Sequence, residues 1–136
     1  MSKRIYLDTN IYVDYCEGRA DSIRPLQEFA FRLLQKTFEC KYDIVVSDWL
    51  FRELEKSIKH KEPMNLLLSE LKAKNKMFYT KSTRSELASA QSHENWTDAL
   101  HAIIAKRMGC KFIVTRNTMD FLEFSHILEP KLPEEL

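Results

Sequence analysis

Three acidic residues from separate segments of the chain, Asp8, Glu53 and Asp98, are the strongest candidates for chemistry. Carboxylate oxygens are the ligands that Mg²⁺ and Mn²⁺ prefer, and such sites keep coordination positions open for water and for a substrate phosphate. Crowding carboxylates together without a cation is unfavourable, because neighbouring like charges raise each other's pKa. If the fold brings the three segments to one place, the sequence therefore predicts a site for a divalent cation.

Each of these residues also has a simpler structural explanation. Asp8 ends an apolar run and, like the two polar residues after it, can cap a helix. Glu53 can be a solvated helix residue, and Asp98 falls at a helix start, where the helix dipole favours a carboxylate. Asp120, a further acidic residue near the end of the chain, can be a surface turn or a cap. The metal hypothesis therefore depends on where the fold places these segments.

Alternating strand and helix patterns predict an α/β fold with three layers and a central, mainly parallel sheet of four to five strands. Short apolar runs rich in β-branched and aromatic residues predict the strands. The predicted strands cover residues 5–7, 42–46, 77–80 and 112–115, with an edge strand at 127–128.

Apolar residues at helical spacing predict the helices between these strands. The predicted helices cover residues 10–17, 23–38, 47–58, 64–74 and 95–108, with a short helix around 120–122. Asp21 and Ser22 are predicted to cap the second of them, and Asn95 is predicted to cap the fifth, with Asp98 in the capping-box position. The polar segment 81–94 gives no clear pattern beyond a helix in its middle.

The strand ends place the polar candidates on one side of the sheet. In an open parallel sheet, ligands bind beyond the carboxyl ends of the strands. The first strand ends at Asp8, the second ends at Ser47 with Glu53 just beyond it, and the fourth ends at residues 115–117. These groups are therefore expected to share one edge of the sheet with Asp98.

Length and composition fit a single domain over residues 1–136, since 44% hydrophobic residues suffice for a core. The 21 basic and 20 acidic residues nearly balance, so there is no global positive field, although an acidic metal site can lie inside a locally basic rim. The 3 cysteines have no CxxC spacing, and a reducing cytoplasm is expected. The apolar run near the start is too short for a signal peptide, and no stretch reaches the roughly 18 apolar residues of a membrane helix.

Four motifs in order along the chain resemble those of PIN-domain ribonucleases, most closely the VapC-type toxins of toxin–antitoxin pairs. They are Tyr-Leu-Asp-Thr-Asn at 6–10, Val-Ser-x5-Glu-Leu at 46–54, Asp-Ala-Leu-His-Ala at 98–102 and Val-Thr-Arg-Asn-x2-Asp-Phe at 114–121. The Ile-Leu-Glu-Pro sequence at 127–130 also resembles the closing strand of that family. The similarity spans nearly the whole chain and implies a single PIN-like domain.

The resemblance implies a Mg²⁺- or Mn²⁺-dependent endoribonuclease in which Asp8, Glu53 and Asp98 form the acidic core and hold the metal. Its reaction would be phosphodiester hydrolysis by water activated by the cation. Where the family often has a fourth acidic residue, this chain has Asn117, with Asp120 three residues further on, so either can complete the metal site. The supporting polar residues implied by the resemblance are Thr9, Asn10, Ser47 and Thr115.

Expected partners follow from the same resemblance and from surface chemistry. Arg52, Arg116 and Lys106 are candidate contacts for RNA phosphates, although solvated surface charge explains each equally well. Aromatic residues such as Phe31 and Phe51 cannot all point inward, so an apolar patch on the second and third helices predicts a homodimer or an antitoxin surface.

His101, one turn after Asp98, is predicted to pack between helices rather than to face the site.

Other chemistries on an Asp-terminated first strand fit less well. A phosphotransferase of the haloacid dehalogenase type would need a second Asp at position 10, where this chain has Asn. A response-regulator receiver would need an acidic pair after its first strand and a Lys after its last core strand, and this chain has neither pattern. The remaining alternative is a degenerate PIN domain that binds RNA or a protein as a scaffold, which Asn117 makes conceivable.

Overall fold

The computed structural model describes residues 3–18 and 25–136. Its centre is a sheet of five parallel strands, which confirms the predicted mainly parallel sheet of four to five strands. The strand order is β3-β2-β1-β4-β5. The strands are β1 (Lys3–Leu7), β2 (Tyr42–Ser47), β3 (Met77–Thr80), β4 (Phe112–Val114) and β5 (Glu129–Lys131). The side chains at 5–7 and 44–46 are fully buried, because the central strands of a parallel sheet are covered on both faces.

Helices flank this sheet and complete a three-layer α/β/α architecture. They are α1 (Thr9–Glu17), α2 (Leu26–Phe38), α3 (Asp48–Ser57), α4 (Lys61–Ala73), α5 (Arg84–Ala90) and α6 (Trp96–Arg107), with 3₁₀ helices at Thr118–Phe124 and Pro133–Glu135. Within the described residues, none of these helices has the length and apolar character needed to cross a membrane.

Helix caps lie directly at the ends of the two central strands. Asp8 is the N-cap of α1, where its Oδ1 accepts a hydrogen bond of 2.8 Å from the Thr9 backbone N–H. Ser47 is the N-cap of α3, where its Oγ accepts a bond of 3.1 Å from the Leu50 N–H. Each strand therefore turns into a helix at the carboxyl edge of the sheet, which places Asp8 and Ser47 side by side on neighbouring strands.

Two predicted boundaries are wrong for local reasons. Helix α4 begins at Lys61 rather than at Met64, because Pro63 lies in the first turn, where a missing N–H costs no helical hydrogen bond. The edge strand lies at 129–131 rather than 127–128, because the N–H groups of 127 and 128 both donate to the Phe124 carbonyl. The predicted cap at residues 21–22 lies outside the described residues.

Helix α5 lies in the polar segment 81–94, where the sequence predicts a helix in the middle without clear bounds. Thr83 and Glu86 form a capping box, in which the Glu86 N–H donates to Thr83 Oγ1 and the Thr83 N–H donates to Glu86 Oε1. The pattern Thr-x-x-Glu is a known signature of a helix start. It is the signal in the sequence that locates this helix.

Candidate metal centre

Asp8, Glu53 and His101 bring one ligand atom each to within 4.8 Å of one another. Asp8 ends β1, Glu53 lies in the second turn of α3, and His101 lies in the second turn of α6. Asp8 and Glu53 also line a cleft of about 660 Å³ at the carboxyl edge of the sheet. Two carboxylates in one cleft are a donor set that suits Mg²⁺ or Mn²⁺.

Asp8 is held by donors on both of its oxygens. In addition to the bond from Thr9 to Oδ1, the Thr115 hydroxyl donates to Oδ2 at 3.0 Å. Burial raises the pKa of Asp8, and the charge of Glu53 adds to this effect, while His101, Thr115 and Thr9 oppose it. A cation at this position would offset the cost of a buried negative charge beside a second carboxylate.

Among the described residues, the hydrogen bonds to Glu53 all reach one of its two oxygens. Thr9 Oγ1 donates to Glu53 Oε1 at 2.7 Å, and His101 Nε2 lies 2.6 Å from the same oxygen. Burial raises the pKa of Glu53, but the hydrogen bonds and the charge of His101, together with Thr9, bring it below its usual value. Because Oε1 takes both bonds, Oε2 is the oxygen left to contact a ligand in the cleft.

His101 belongs to a buried chain of hydrogen bonds that begins in the core. The Ser47 Oγ lies 2.7 Å from the Tyr6 hydroxyl, which lies 2.6 Å from His101 Nδ1. Burial disfavours the imidazolium, yet the hydrogen bond to Glu53 and the charges of Glu53 and Asp8 raise the pKa of His101. The interpretation that His101 packs between helices without facing the site is therefore wrong: it is fully buried, and it still contacts Glu53.

Asp98 is not among the three described residues whose ligand atoms cluster, but its carboxylate is linked to Asp8 and His101 by charge. Burial raises the pKa of Asp98 to about 6, a hydrogen bond from Asn95 opposes the shift, and the charges of Asp8 and Asp120 add to it. Asn95 occupies the predicted N-cap position of α6, but its side chain donates to Asp98 Oδ2 at 2.7 Å and makes no capping bond. The predicted capping box is therefore wrong, and the role of Asp98 as a metal ligand stays a prediction.

The two candidates for the fourth acidic position differ in their connection to the site. Asn117 donates its backbone N–H to Thr115 Oγ1 at 3.1 Å, and its side chain is exposed. Asp120 is also exposed, but its charge raises the pKa of Asp98, and its carbonyl accepts a bond of 3.3 Å from Asn95. Of the two, Asp120 is the residue with an electrostatic link to the carboxylates.

The predicted supporting residues all enter hydrogen bonds around the centre. Asn10 Nδ2 donates to Thr115 Oγ1 at 3.2 Å, and Asn10 Oδ1 accepts from the Arg116 backbone N–H at 3.1 Å. These bonds tie α1 to the loop after β4, and so hold the Thr115 hydroxyl against Asp8. Thr9 contacts Glu53 directly, and Ser47 reaches it through the buried chain described above.

The predicted basic residues lie at different distances from the cleft. Arg116 lines it, and one of its guanidinium nitrogens is 3.6 Å from the buried Asp14 carboxylate. The Arg52 guanidinium lies 5.3 Å from the centre of the Trp49 ring, which also lines the cleft. Lys106 lies in the last turn of α6, about 12 Å along the helix from Asp98. Lys56, which was not among the predicted contacts, is a second cation in the cleft wall.

Comparison with known proteins leaves the family of the chain open. The sequence matches no protein-family model, and no curated protein matches it at a significant level. The residues of the cleft themselves are therefore the basis for a functional assignment.

Proposed function

We propose that this protein is a Mg²⁺- or Mn²⁺-dependent endoribonuclease. The observation that carries the proposal is the convergence of Asp8 and Glu53 from separate elements into one cleft at the carboxyl edge of a parallel sheet. Arg116 and Lys56 in the cleft wall supply positive charge for phosphates. The four sequence motifs that resemble PIN-domain ribonucleases support RNA as the substrate.

The residues of the site have distinct roles in this proposal. Asp8 and the free oxygen of Glu53 would hold the cation, while Thr9 and His101 fix the orientation of Glu53. The bound cation would activate water and stabilise the negative charge that grows on the phosphate. Asp98, whose pKa is raised to about 6, would be mostly charged near pH 7, and a cation beside it would further favour the charged form.

The resemblance further supports a role as the toxin of a toxin–antitoxin pair, acting as a homodimer. Phe31 on α2 is 53% exposed, which leaves apolar surface for a partner protein. Phe51 on α3 instead stacks on Tyr79, with ring centres 5.8 Å apart. A cognate antitoxin or a second copy of the chain would cover the surface around Phe31, and a monomer in light scattering would contradict the homodimer.

A scaffold without catalysis is the second candidate function. Asn117 favours it, because an amide can offer a metal only a neutral oxygen where the similar family often has a carboxylate. Such a protein would bind RNA in the cleft and leave it intact.

The experiment compares RNA cleavage by the wild type, Asp8→Asn and Asp43→Asn, with and without Mn²⁺. Asp43 undergoes the same chemical change in the same sheet, but it lies at the start of β2 and pairs with Lys76. We expect cleavage that requires Mn²⁺, persists in Asp43→Asn and falls at least about 100-fold in Asp8→Asn. Equal cleavage by the wild type and Asp8→Asn would refute the proposal, and metal-dependent RNA binding without cleavage would favour the scaffold. Circular dichroism of each variant verifies that it is folded.

A further inference from the structure

The 2 tryptophans of the chain form a single pair in the wall of the cleft. Trp49 lies in the first turn of α3 and Trp96 is the first residue of α6, so both stand at the carboxyl edge of the sheet. Their ring centres are 5.3 Å apart, with an angle of 54° between the ring planes. Both side chains are half-buried, and both line the cleft that contains Asp8 and Glu53.

Packing within the protein accounts for only part of this arrangement. The Trp49 indole nitrogen is buried and has no hydrogen-bond partner among the described residues, whereas a buried indole N–H usually has one. Partial exposure in a cleft also differs from the complete burial of the large core side chains, such as Tyr12 and Phe124. The pair therefore presents aromatic surface to the cleft, and the Trp49 indole has no polar anchor among the described residues.

Three cations lie near Trp49 or in the wall of the same cleft. The Arg52 guanidinium lies 5.3 Å from the centre of the Trp49 ring, and Lys56 and Arg116 line the same cleft. Aromatic rings that alternate with cations are the combination by which proteins hold single-stranded nucleic acid, since bases stack on the rings and phosphates pair with the cations. The carboxylates that would hold the metal lie in the same cavity, so a nucleotide held there has its phosphate near them.

We propose that Trp49 and Trp96 form a stacking surface for the base of an unpaired nucleotide beside the phosphodiester that is cleaved. The substrate is then a single strand or a loop, because a base inside a duplex is already stacked between its neighbours. Every base has an aromatic face, so this contact selects for unpaired structure more than for sequence. The inference rests on the proposed nuclease function for its substrate, but it concerns binding and is tested without cleavage.

Tryptophan fluorescence, excited at the long-wavelength edge where tyrosine does not absorb, reports on this pair alone, because the chain has no other tryptophan. We would titrate the protein in EDTA with an unstructured RNA strand and with a blunt duplex of the same sequence, long enough to stay paired at the salt concentration used. The single strand is expected to quench the fluorescence to saturation, and the duplex is expected to bind at least about tenfold more weakly. The absence of quenching by the single strand, or equal binding of the two RNAs, would overturn the proposal.

Variants distinguish stacking from a structural role of the pair. Affinity for labelled single-stranded RNA, measured by anisotropy, is expected to fall about tenfold in Trp96→Leu and in Trp49→Leu, and to recover largely in the matching Phe variants. Phe31→Leu removes an aromatic ring outside the cleft and is expected to bind like the wild type. Wild-type affinity in both Leu variants would overturn the proposal.

The outcome also separates this inference from the proposed function. If single-stranded RNA stacks on the tryptophans while the cleavage experiment is negative, the nuclease proposal fails and the stacking surface stands. If cleavage depends on Mn²⁺ and on Asp8, but the Leu variants bind RNA normally, the nuclease stands and the stacking surface fails.

Discussion

The protein shifts the pKa values of Glu53 and Asp98 in opposite directions. We call the surroundings of these two carboxylates the Glu53 side and the Asp98 side of the candidate metal centre. On one side, Thr9 and His101 both contact Glu53 Oε1, and their net effect is to lower the pKa of Glu53. On the other side, the neutral Asn95 donates to Asp98, and burial together with the charges of Asp8 and Asp120 raises the pKa of Asp98 to about 6. One carboxylate is therefore stabilised in its charged form by the protein, and the other is not.

This difference indicates that the protein itself orients Glu53, whereas the charge of Asp98 is left for a bound cation to neutralise. A carboxylate held by an imidazole and a hydroxyl is oriented before any cation arrives, which reduces the cost of ordering the site. A carboxylate surrounded by other carboxylates keeps unneutralised charge, which attracts a cation. The Glu53 side is thus the rigid part of the site, and the Asp98 side provides the electrostatic attraction.

The largest expected effect comes from removing the support of the Glu53 side. His101→Leu removes one hydrogen bond from the Tyr6 hydroxyl, which keeps Ser47, and one from the Glu53 carboxylate, which keeps Thr9. Because one of the two lost bonds is made to a partly buried carboxylate, the free energy of unfolding should fall by about 3 kcal/mol at pH 7. Urea denaturation measures this change. Tyr6→Phe, which removes only the hydroxyl, should cost about 1 kcal/mol.

His93→Leu provides the control for this variant. His93 packs edge-on against Phe124 and is half-buried, so losing it should cost much less than losing His101. If the two His→Leu variants are equally stable, the hydrogen bonds of His101 do not support the site, and the contrast between the two sides disappears.

Sequence patterns locate the elements of this site better than they describe its internal contacts. Buried strands followed at once by polar residues correctly place Asp8 and Ser47 at one edge of the sheet. The partners of His101 could not be predicted, because Glu53 and Tyr6 are 48 and 95 residues away along the chain. Helical spacing puts His101 on the buried face of α6, but it does not tell whether a buried imidazole meets apolar or polar groups.

The orientation of the Asn95 side chain could not be predicted either, because it depends on charges from other parts of the fold. Its position before α6 predicts the N-cap position correctly, but not the hydrogen bond that the side chain makes. The side chain could bond either to a backbone N–H of the helix or to the carboxylate three residues on. Only the three-dimensional surroundings of Asp98, with further negative charge nearby, decide between them.

A smaller effect of opposite sign is expected on the Asp98 side. Between pH 3.8 and about 6 the folded protein binds more protons at Asp98 than the unfolded chain does, so this residue lowers stability as the pH rises through that window. In EDTA at pH 7.5, Asp98→Asn should therefore be more stable than the wild type, by about 1 kcal/mol after allowance for solvent screening and the lost helix-dipole interaction. Below pH 3.8 the difference should vanish.

Thermal unfolding of the two proteins across this pH range measures the effect, with Asp43→Asn as the control. Asp43 pairs with Lys76, so the same substitution there should give no stabilisation at pH 7.5. Saturating Mn²⁺ should stabilise the wild type more than Asp98→Asn. An Asp98→Asn variant that is less stable than the wild type in EDTA would show that the charge of Asp98 is already compensated.

The smallest expected effect is that of Asp120, whose charge adds to that of Asp98, on the affinity for Mn²⁺. Asp120 is exposed, so its attraction for a bound cation is weakened by solvent, but its charge still reaches Asp98. Asp120→Asn should weaken Mn²⁺ binding about twofold to fivefold in calorimetric titrations at low salt, and the difference should disappear near 0.5 M salt. Glu123→Gln neutralises another exposed acid of the same 3₁₀ helix and should leave the affinity unchanged. A loss that persists at high salt would mean that Asp120 contacts the cation directly, and equal losses in both variants would mean that only the general surface charge matters.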